Sequence, residues 1–144
     1  MNRRRAIATL LLAAAWPPAV RAEAPGGRAP GEYPDDRDPR LTALARSALP
    51  LIAAIERFRA ANRRFPGVAE AAALDIERVK GRDIGTFAAL GDWLYYPERD
   101  ASGFTLSRKL GWDPRLLYQR EGTAQRWVYD PGDGSATKEI VLEP

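Results

Sequence analysis

Side chains that could act as acids or bases in catalysis are few in this chain, and carboxylates are the main ones. Asp92, Glu98, Asp100 and Asp113 lie in a stretch rich in aromatic residues, a setting that suits a carboxylate pair hydrolysing a glycosidic bond. Their spacing brings no two of them together, and carboxylates are also common at helix caps and in turns. An acid-pair hydrolase is therefore our third hypothesis, and we name no catalytic residue.

The side chains that most often support nucleophilic and metal chemistry are missing from the sequence. The chain contains no histidine and no cysteine, so it lacks the usual general base, thiolate ligands and any disulfide. Its serines lie in no recognisable nucleophile motif; they are Ser47, Ser102, Ser107 and Ser135. We expect a protein that is not an enzyme and that binds no cofactor.

Aromatic residues form the other chemically distinctive group. Strand alternation places Trp93 and Tyr95 on one face and Tyr96 on the other, so some rings pack in the core while others face solvent. Trp112 falls in Gly-Trp-Asp-Pro, a sequence typical of a loop. We predict that Tyr96 and Trp112 form a surface that contacts a partner or a glycan, with core packing as the alternative.

Hydrophobic periodicity predicts a long amphipathic helix at the start of the folded domain. Apolar residues recur every three or four positions over Leu41–Phe58, and the pair Asp38-Pro39 is typical of a helix start. Pro50 lacks a backbone donor, which predicts a kink or a break near residues 46–49. A second, shorter helix is predicted over Val68–Lys80.

After Gly91 the hydrophobic period changes from helical to alternating, which indicates strands. No long apolar strand appears, so an antiparallel meander with one solvated face is favoured over a buried parallel sheet. We predict an α+β fold, with the long N-terminal amphipathic helix packed on a four- to five-stranded antiparallel meander. The predicted strands are Asp92–Pro97, Phe104–Leu110, Arg115–Arg120, Gln125–Asp130 and Ala136–Glu143.

The N-terminus has the pattern of a signal peptide over residues 1–22. Arginines precede an apolar run of eleven residues, Ala6–Trp16, which is shorter than the roughly 20 residues of a membrane-spanning helix. A cut between Ala22 and Glu23 is predicted, with retention as a membrane anchor the alternative. We therefore expect a periplasmic or secreted protein.

The mature chain divides into a linker and one domain. Residues 23–39 are rich in proline, glycine and charge and predict a disordered linker, in which Tyr33 is the large apolar anchor of an alternative recognition motif. Residues 40–144 form the single domain. Residues 1–22 hold four arginines and no acid, so without them the formal charge of +3 becomes −1 and no nucleic-acid partner is expected.

One segment resembles a known family. Leu49–Gly67 (LPLIAAIERFRAANRRFPG) resembles the second half of the long helix of type IV pilins and type II secretion pseudopilins, and four of its residues match their pattern in type and spacing. The resemblance implies a helix followed by an antiparallel meander and a role in secretion or pilus-type assemblies. The matching residues are Phe58, Asn62, Phe65 and Pro66.

Two features depart from this family. Arg63 replaces the usual glycine, and the N-terminus lacks the prepilin cleavage motif; Gly103–Ser107 (GFTLS) mimics that motif within a predicted strand. Some pseudopilins hold calcium in a C-terminal loop, so Asp130 and Asp133 of the Asp-Pro-Gly-Asp-Gly segment are weak calcium candidates. The spacing fails the EF-hand pattern and is typical of a tight turn.

These observations support a non-enzymatic exported envelope protein that acts through protein–protein contacts, associated with secretion or pilus-type assemblies. Its expected partner is an envelope or secretion-apparatus protein. The alternative is a binding module for a glycan or another small ligand that uses exposed aromatic side chains.

Overall fold

The computed structural model describes residues 33–144. The predicted signal peptide at 1–22, its cut between Ala22 and Glu23, and residues 23–32 of the predicted linker lie outside this range. Within it, no helix is long and apolar enough to cross a membrane.

The first element, α1 (Pro39–Asn62), is a helix of 24 residues. The Asp38 carboxylate caps it by accepting hydrogen bonds from two backbone N–H groups of the first turn, at 2.9 and 3.4 Å. The helix continues through Pro50, so the predicted break does not occur. Because Pro50 has no N–H group, the carbonyl of Arg46, four residues earlier, receives no hydrogen bond from the helix. Both residues are exposed, so solvent can hydrate this carbonyl.

A second helix, α2 (Val68–Ala72), has only five residues. The prediction of a helix over Val68–Lys80 is therefore wrong in its length. Ile76 and Val79 instead pair as an isolated antiparallel bridge, and the Ile76 side chain is buried in the core. Both residues are β-branched, which lowers their preference for helix and suits this extended pairing.

Seven antiparallel strands follow and form one sheet in sequence order. The α+β class is confirmed, but the finer prediction of a long helix on four or five strands does not match, because the sheet has seven strands. The two strands that were not predicted are the first two, each of three residues. The strands are β1 (Gly81–Asp83), β2 (Ala88–Leu90), β3 (Trp93–Pro97), β4 (Gly103–Lys109), β5 (Arg115–Glu121), β6 (Ala124–Asp130) and β7 (Lys138–Ile140).

The core lies between α1 and one face of this sheet, and aromatic rings dominate it. The Phe104 ring lies 5.0 Å from that of Phe65, 5.4 Å from that of Tyr95 and 5.9 Å from that of Tyr118, measured between centroids. The buried Tyr95 hydroxyl donates a hydrogen bond to the Pro66 carbonyl at 2.7 Å, so its polar end is satisfied. This cluster joins the end of α1 to the middle of the sheet.

Residues 33–38 contact β6 and the residues on either side of β7, although the sequence assigned them to the linker. The Tyr33 ring lies 6.2 Å from the Tyr129 ring, and its hydroxyl donates to the Ala136 carbonyl at 2.6 Å. The backbone N–H of Arg37 donates to the Val141 carbonyl at 2.8 Å. These contacts cover the chain next to β7, which is an edge strand. Tyr33 thus contacts its own domain.

An ion pair beside α2 makes stability depend on pH. The Arg64 guanidinium donates two hydrogen bonds to the Glu70 carboxylate, at 2.7 and 2.6 Å, and the Gly67 N–H donates a third at 2.8 Å. These bonds favour the charged carboxylate, chiefly the one from Arg64, and lower the pKa of Glu70 from 4.5 to about 2.

We expect this pair to lose its stabilising effect in acid. Because the folded pKa lies below the unfolded one, the contribution is present above about pH 4.5 and disappears as pH falls towards 2. Glu70→Gln should therefore lower the urea midpoint at pH 7 and have little effect at pH 2. Glu77→Gln, at an exposed carboxylate, is the control. An equal effect of Glu70→Gln at both pH values would contradict the assignment.

Candidate functional site

The first candidate surface is the sheet face that points away from α1, here called the open face. Strand alternation and register place one apolar row across its centre, from Leu94 through Ser107 and Leu117 to Val128. Val128 is buried, yet it does not belong to the core cluster that α1 and α2 cover. Among residues 33–144, no helix packs on this face, so Leu94 and Leu117 remain partly exposed.

A second row of the open face is polar and leads into a groove. Tyr96 lies opposite Thr105, Thr105 opposite Gln119, and Gln119 opposite Arg126. The Arg126 Nε–H donates a hydrogen bond to the Gln119 Oε1 at 2.8 Å, which fixes both side chains. Thr105, Gln119 and Arg126 form part of the lining of a groove of about 860 Å³ at the end of the sheet where β3 meets β4 and β5 meets β6.

The groove carries charges of both signs. Its lining contains four acids and three arginines: Glu98, Asp100, Glu121, Glu139, Arg99, Arg120 and Arg126. The side chain and the backbone N–H of Ser102 both donate to Asp100, at 2.6 and 3.0 Å, and these bonds lower the pKa of Asp100. Planar acids, an amide and a guanidinium are hydrogen-bonding groups that suit a polar ligand.

Tyr96 is the cross-strand neighbour of Thr105, which lines the groove, but Tyr96 itself is not part of the lining. Its ring packs on that of Phe87, with centroids 5.3 Å apart and planes tilted by 39°. The Tyr96 side chain is half-buried by this contact. The predicted placement of Tyr96 on the face opposite Trp93 and Tyr95 is confirmed, because both of those residues are buried in the core.

Trp112 lies at the other end of the sheet. Its side chain is 91 % exposed, in the loop between β4 and β5, so the predicted exposure is confirmed and its binding role stays a prediction. Tyr96 lies opposite Thr105. Thr105 is four residues, or about 13 Å of strand, before the end of β4, where the Trp112 loop begins. Tyr96 and Trp112 therefore do not share one binding surface.

The loop after β6 that carries the weak calcium candidates packs against the Trp112 loop. The Asp130 carboxylate accepts from the Gly132 N–H at 2.9 Å, and that of Asp133 accepts from the Ser135 N–H at 2.9 Å. The bonds from Ser135, its hydroxyl first, lower the pKa of Asp133. Residues 33–144 contain no group of three or more potential metal-binding acids. Both aspartates thus serve as turn acceptors, and calcium binding stays a prediction.

The structure divides the four carboxylates of the acid-pair hypothesis between the two ends of the sheet, and Glu98 and Asp100 lie together in the groove. Asp92 and Asp113 lie in turns at the Trp112 end of the sheet, whereas Asp100 lies in the turn at the opposite end of β3. β3 spans five residues, or about 16 Å, which exceeds the 5–10 Å between the carboxylates of a glycosidase pair. Asp92 also pairs with Arg108 at 3.0 Å. Asp100 therefore cannot act with either Asp92 or Asp113.

Sequence reasoning missed the pairing of Gln119 with Arg126. A signal for it was available, because the two predicted strands flank residues 121–124 symmetrically and a two-residue turn at Gly122-Thr123 places 119 opposite 126. The sequence did not show which strand lies beside this pair and completes the groove.

Comparison with known proteins gives no relative from which a function could be transferred. No protein-family model matches the chain, and no curated protein and no solved structure matches it.

Proposed function

We propose that this protein is a non-enzymatic, exported envelope protein that acts through protein–protein contacts in association with secretion or pilus-type assemblies. The observation that carries the proposal is the apolar row on the open face, formed by Leu94, Leu117 and Val128. An antiparallel sheet usually has one solvated face with polar residues. Here leucine and valine occupy the centre of that face; Leu94 and Leu117 are partly exposed and Val128 is buried. Apolar side chains that reach the surface of a sheet in this way are common in protein interfaces.

The surroundings of the row fit a protein interface. Such interfaces have an apolar centre and a polar rim, and here the rim holds Gln119 and Arg126 on one side and Lys109 and Arg115 on the other. Trp112 projects from the same end of the sheet as Lys109 and Arg115. Tryptophan and arginine are the residues that most often dominate binding energy.

Export and the type of assembly are supported by the sequence. The signal-peptide pattern at residues 1–22 supports export, and the likeness of Leu49–Gly67 to pilins and pseudopilins supports the assembly. The order of one helix followed by an antiparallel meander agrees with what that likeness implies. The proposal of a non-enzymatic role rests on the missing histidine and cysteine and on the distance of Asp100 from Asp92 and Asp113.

A charge placed in the apolar row should abolish partner binding. The tagged full-length protein would be purified from its own host, and co-purifying proteins would be identified by mass spectrometry. We expect Leu117→Glu to lose an envelope partner that the unchanged protein retains, because a carboxylate in an apolar interface loses hydration without gaining a partner. Ile84→Glu is the matched control, since Ile84 is 47 % exposed at the tip between β1 and β2. Equal loss with both variants, or no envelope partner, would contradict the proposal.

A glycan or another small polar ligand in the groove is the second candidate. The row of Tyr96, Thr105, Gln119 and Arg126 favours it, because an aromatic ring beside hydroxyl, amide and guanidinium groups matches the stacking and hydrogen-bonding needs of a sugar. Binding on a glycan array that disappears with Gln119→Ala and survives Trp112→Ala would support this function over the first. If no glycan on the array bound, this second function would be ruled out.

A further inference from the structure

A stripe of exposed residues runs along α1 on the side away from the sheet. Its members are spaced by three or four positions, so they lie on one side of the helix. All of them are exposed, and Leu49 is 41 % exposed. We name this set the outer stripe; it consists of Arg46, Leu49, Pro50, Ala53, Arg57 and Ala60.

The composition of the outer stripe differs from that of an ordinary solvated helix face. Such a face is normally polar all along, whereas between Arg46 and Arg57 the stripe presents only leucine, proline and alanine. The two arginines lie eleven residues apart, which is three turns and about 16 Å. The apolar part of the stripe therefore has a cation at each end.

Within residues 33–144, these two cations have no acidic partner. The one acid in α1, Glu56, accepts a hydrogen bond from Arg120 at 2.8 Å and pairs with Arg59 at 3.6 Å. Among the residues that the structure describes, no acid pairs with Arg46 or Arg57. A group that binds the stripe must therefore cover a short apolar surface and supply negative charge at both of its ends.

We propose that the outer stripe of α1 docks an acidic helix of a partner protein, whose carboxylates pair with Arg46 and Arg57 and whose apolar residues pack on Leu49 and Ala53. Small side chains such as Ala53 and Ala60 allow a second helix to approach to the usual 8–10 Å between axes. Arginine suits these ends because its guanidinium binds a carboxylate through two parallel hydrogen bonds. This surface lies on the opposite side of the sheet from the open face and is independent of it.

Two other occupants fit the stripe less well. A second copy that offered the same stripe in an antiparallel arrangement would bring Arg46 towards the other copy's Arg57, and like charges oppose such a contact. An anionic membrane would satisfy the arginines, but helices that lie in a membrane interface insert large side chains such as tryptophan, phenylalanine or several leucines. The stripe offers one leucine and two alanines.

A photo-cross-linking experiment distinguishes these occupants. The photoreactive residue p-benzoylphenylalanine would replace Ala53 in the full-length protein, produced in its own host, and mass spectrometry would map each cross-linked product. The control places the same residue at Lys109, on the open face. We expect a product specific to position 53 in which the cross-linked peptide belongs to an acidic, helical segment of another protein.

Charge reversal tests the role of the arginines. Combining Arg46→Glu with Arg57→Glu should reduce that product at least about tenfold, because two attractive contacts become repulsive. Combining Lys80→Glu with Arg82→Glu, at exposed residues outside both surfaces, changes the charge equally and should leave it unchanged. The proposal is overturned by any of four results: a lipid adduct, a cross-link to a second copy, a cross-link within residues 1–32 of the same chain, or no product specific to position 53.

Discussion

Replacing Phe104 with alanine is expected to lower the free energy of unfolding by about 3–5 kcal/mol. The Phe104 side chain is buried at the centre of the aromatic cluster, where three other rings lie within 6 Å between centroids. Alanine would remove the whole ring and leave a cavity between α1 and the sheet, because the surrounding rings belong to different elements and cannot all move inwards. Urea unfolding followed by circular dichroism would measure the loss.

The matched control is another large aromatic residue. Trp112→Ala should change the free energy of unfolding by no more than about 0.5 kcal/mol, since its ring is 91 % exposed and buries little area. If the Phe104 variant does not fold, Phe104→Leu should give a smaller loss in the same direction, because leucine fills part of the cavity. Similar losses for Phe104→Ala and Trp112→Ala would mean that the aromatic cluster is not the centre of the core.

Elements with a sustained hydrophobic period could be predicted from the sequence. α1 was recognised because apolar residues recur along more than four helical turns. β3 to β6 were recognised because aromatic and β-branched residues are frequent in this part of the chain, and burial alternates along β3 and β5. β1 and β2 were missed because three residues cannot display an alternation. β2, moreover, is buried at all three positions and reads as a short apolar run.

The face that α1 buries was predicted only in part. Leu41, Ala48 and Ile55 are buried as the period indicates, whereas Leu44 and Ile52 are only partly buried and alanines at 45 and 54 take their places. An alanine's position in a core depends on how closely the helix approaches the sheet, and that distance is set by the rings beneath it. No short stretch of the sequence reports the distance between α1 and the sheet, so the burial of these alanines could not be predicted.

For the candidate surfaces too, features set by neighbouring residues could be predicted, whereas features set by strand pairing could not. Alternation correctly separated Tyr96 from Trp93 and Tyr95, and the loop sequence around Trp112 correctly predicted exposure. The open face and its groove depend instead on the register of four strands, so the sequence alone did not reveal them. The contact of Tyr33 with Tyr129 was not predicted for a similar reason, since it joins residues 96 positions apart.

The open face and the outer stripe of α1 together suggest how such a small domain could connect two partners. The core lies between them, so a ligand on one surface does not compete for space with a ligand on the other. Arg120 and Glu56 link β5 to α1 through a hydrogen bond of 2.8 Å, which holds the two surfaces in a fixed relation. Variants that abolish binding on one surface should therefore leave binding on the other intact.

The loop that carries Trp112 depends on a close approach at Gly132. Gly132 has a left-handed backbone, with φ of 72°, and an added Cβ would overlap the carbonyl oxygen of Asp113 and lie 2.8 Å from its carbonyl carbon. Gly132→Ala should therefore lower the free energy of unfolding by about 2–4 kcal/mol, combining left-handed strain with steric overlap. Urea unfolding would give the value.

Gly134 provides the control within the same loop. Its φ of 88° is also left-handed, but nothing lies within 4 Å of an added Cβ. Gly134→Ala should therefore cost only the left-handed strain, about 1–2 kcal/mol. The difference between the two variants measures the packing of the loop after β6 against Asp113. If both variants lose the same stability, the two loops are not in contact, and the position of Trp112 would then depend on the β4–β5 turn alone.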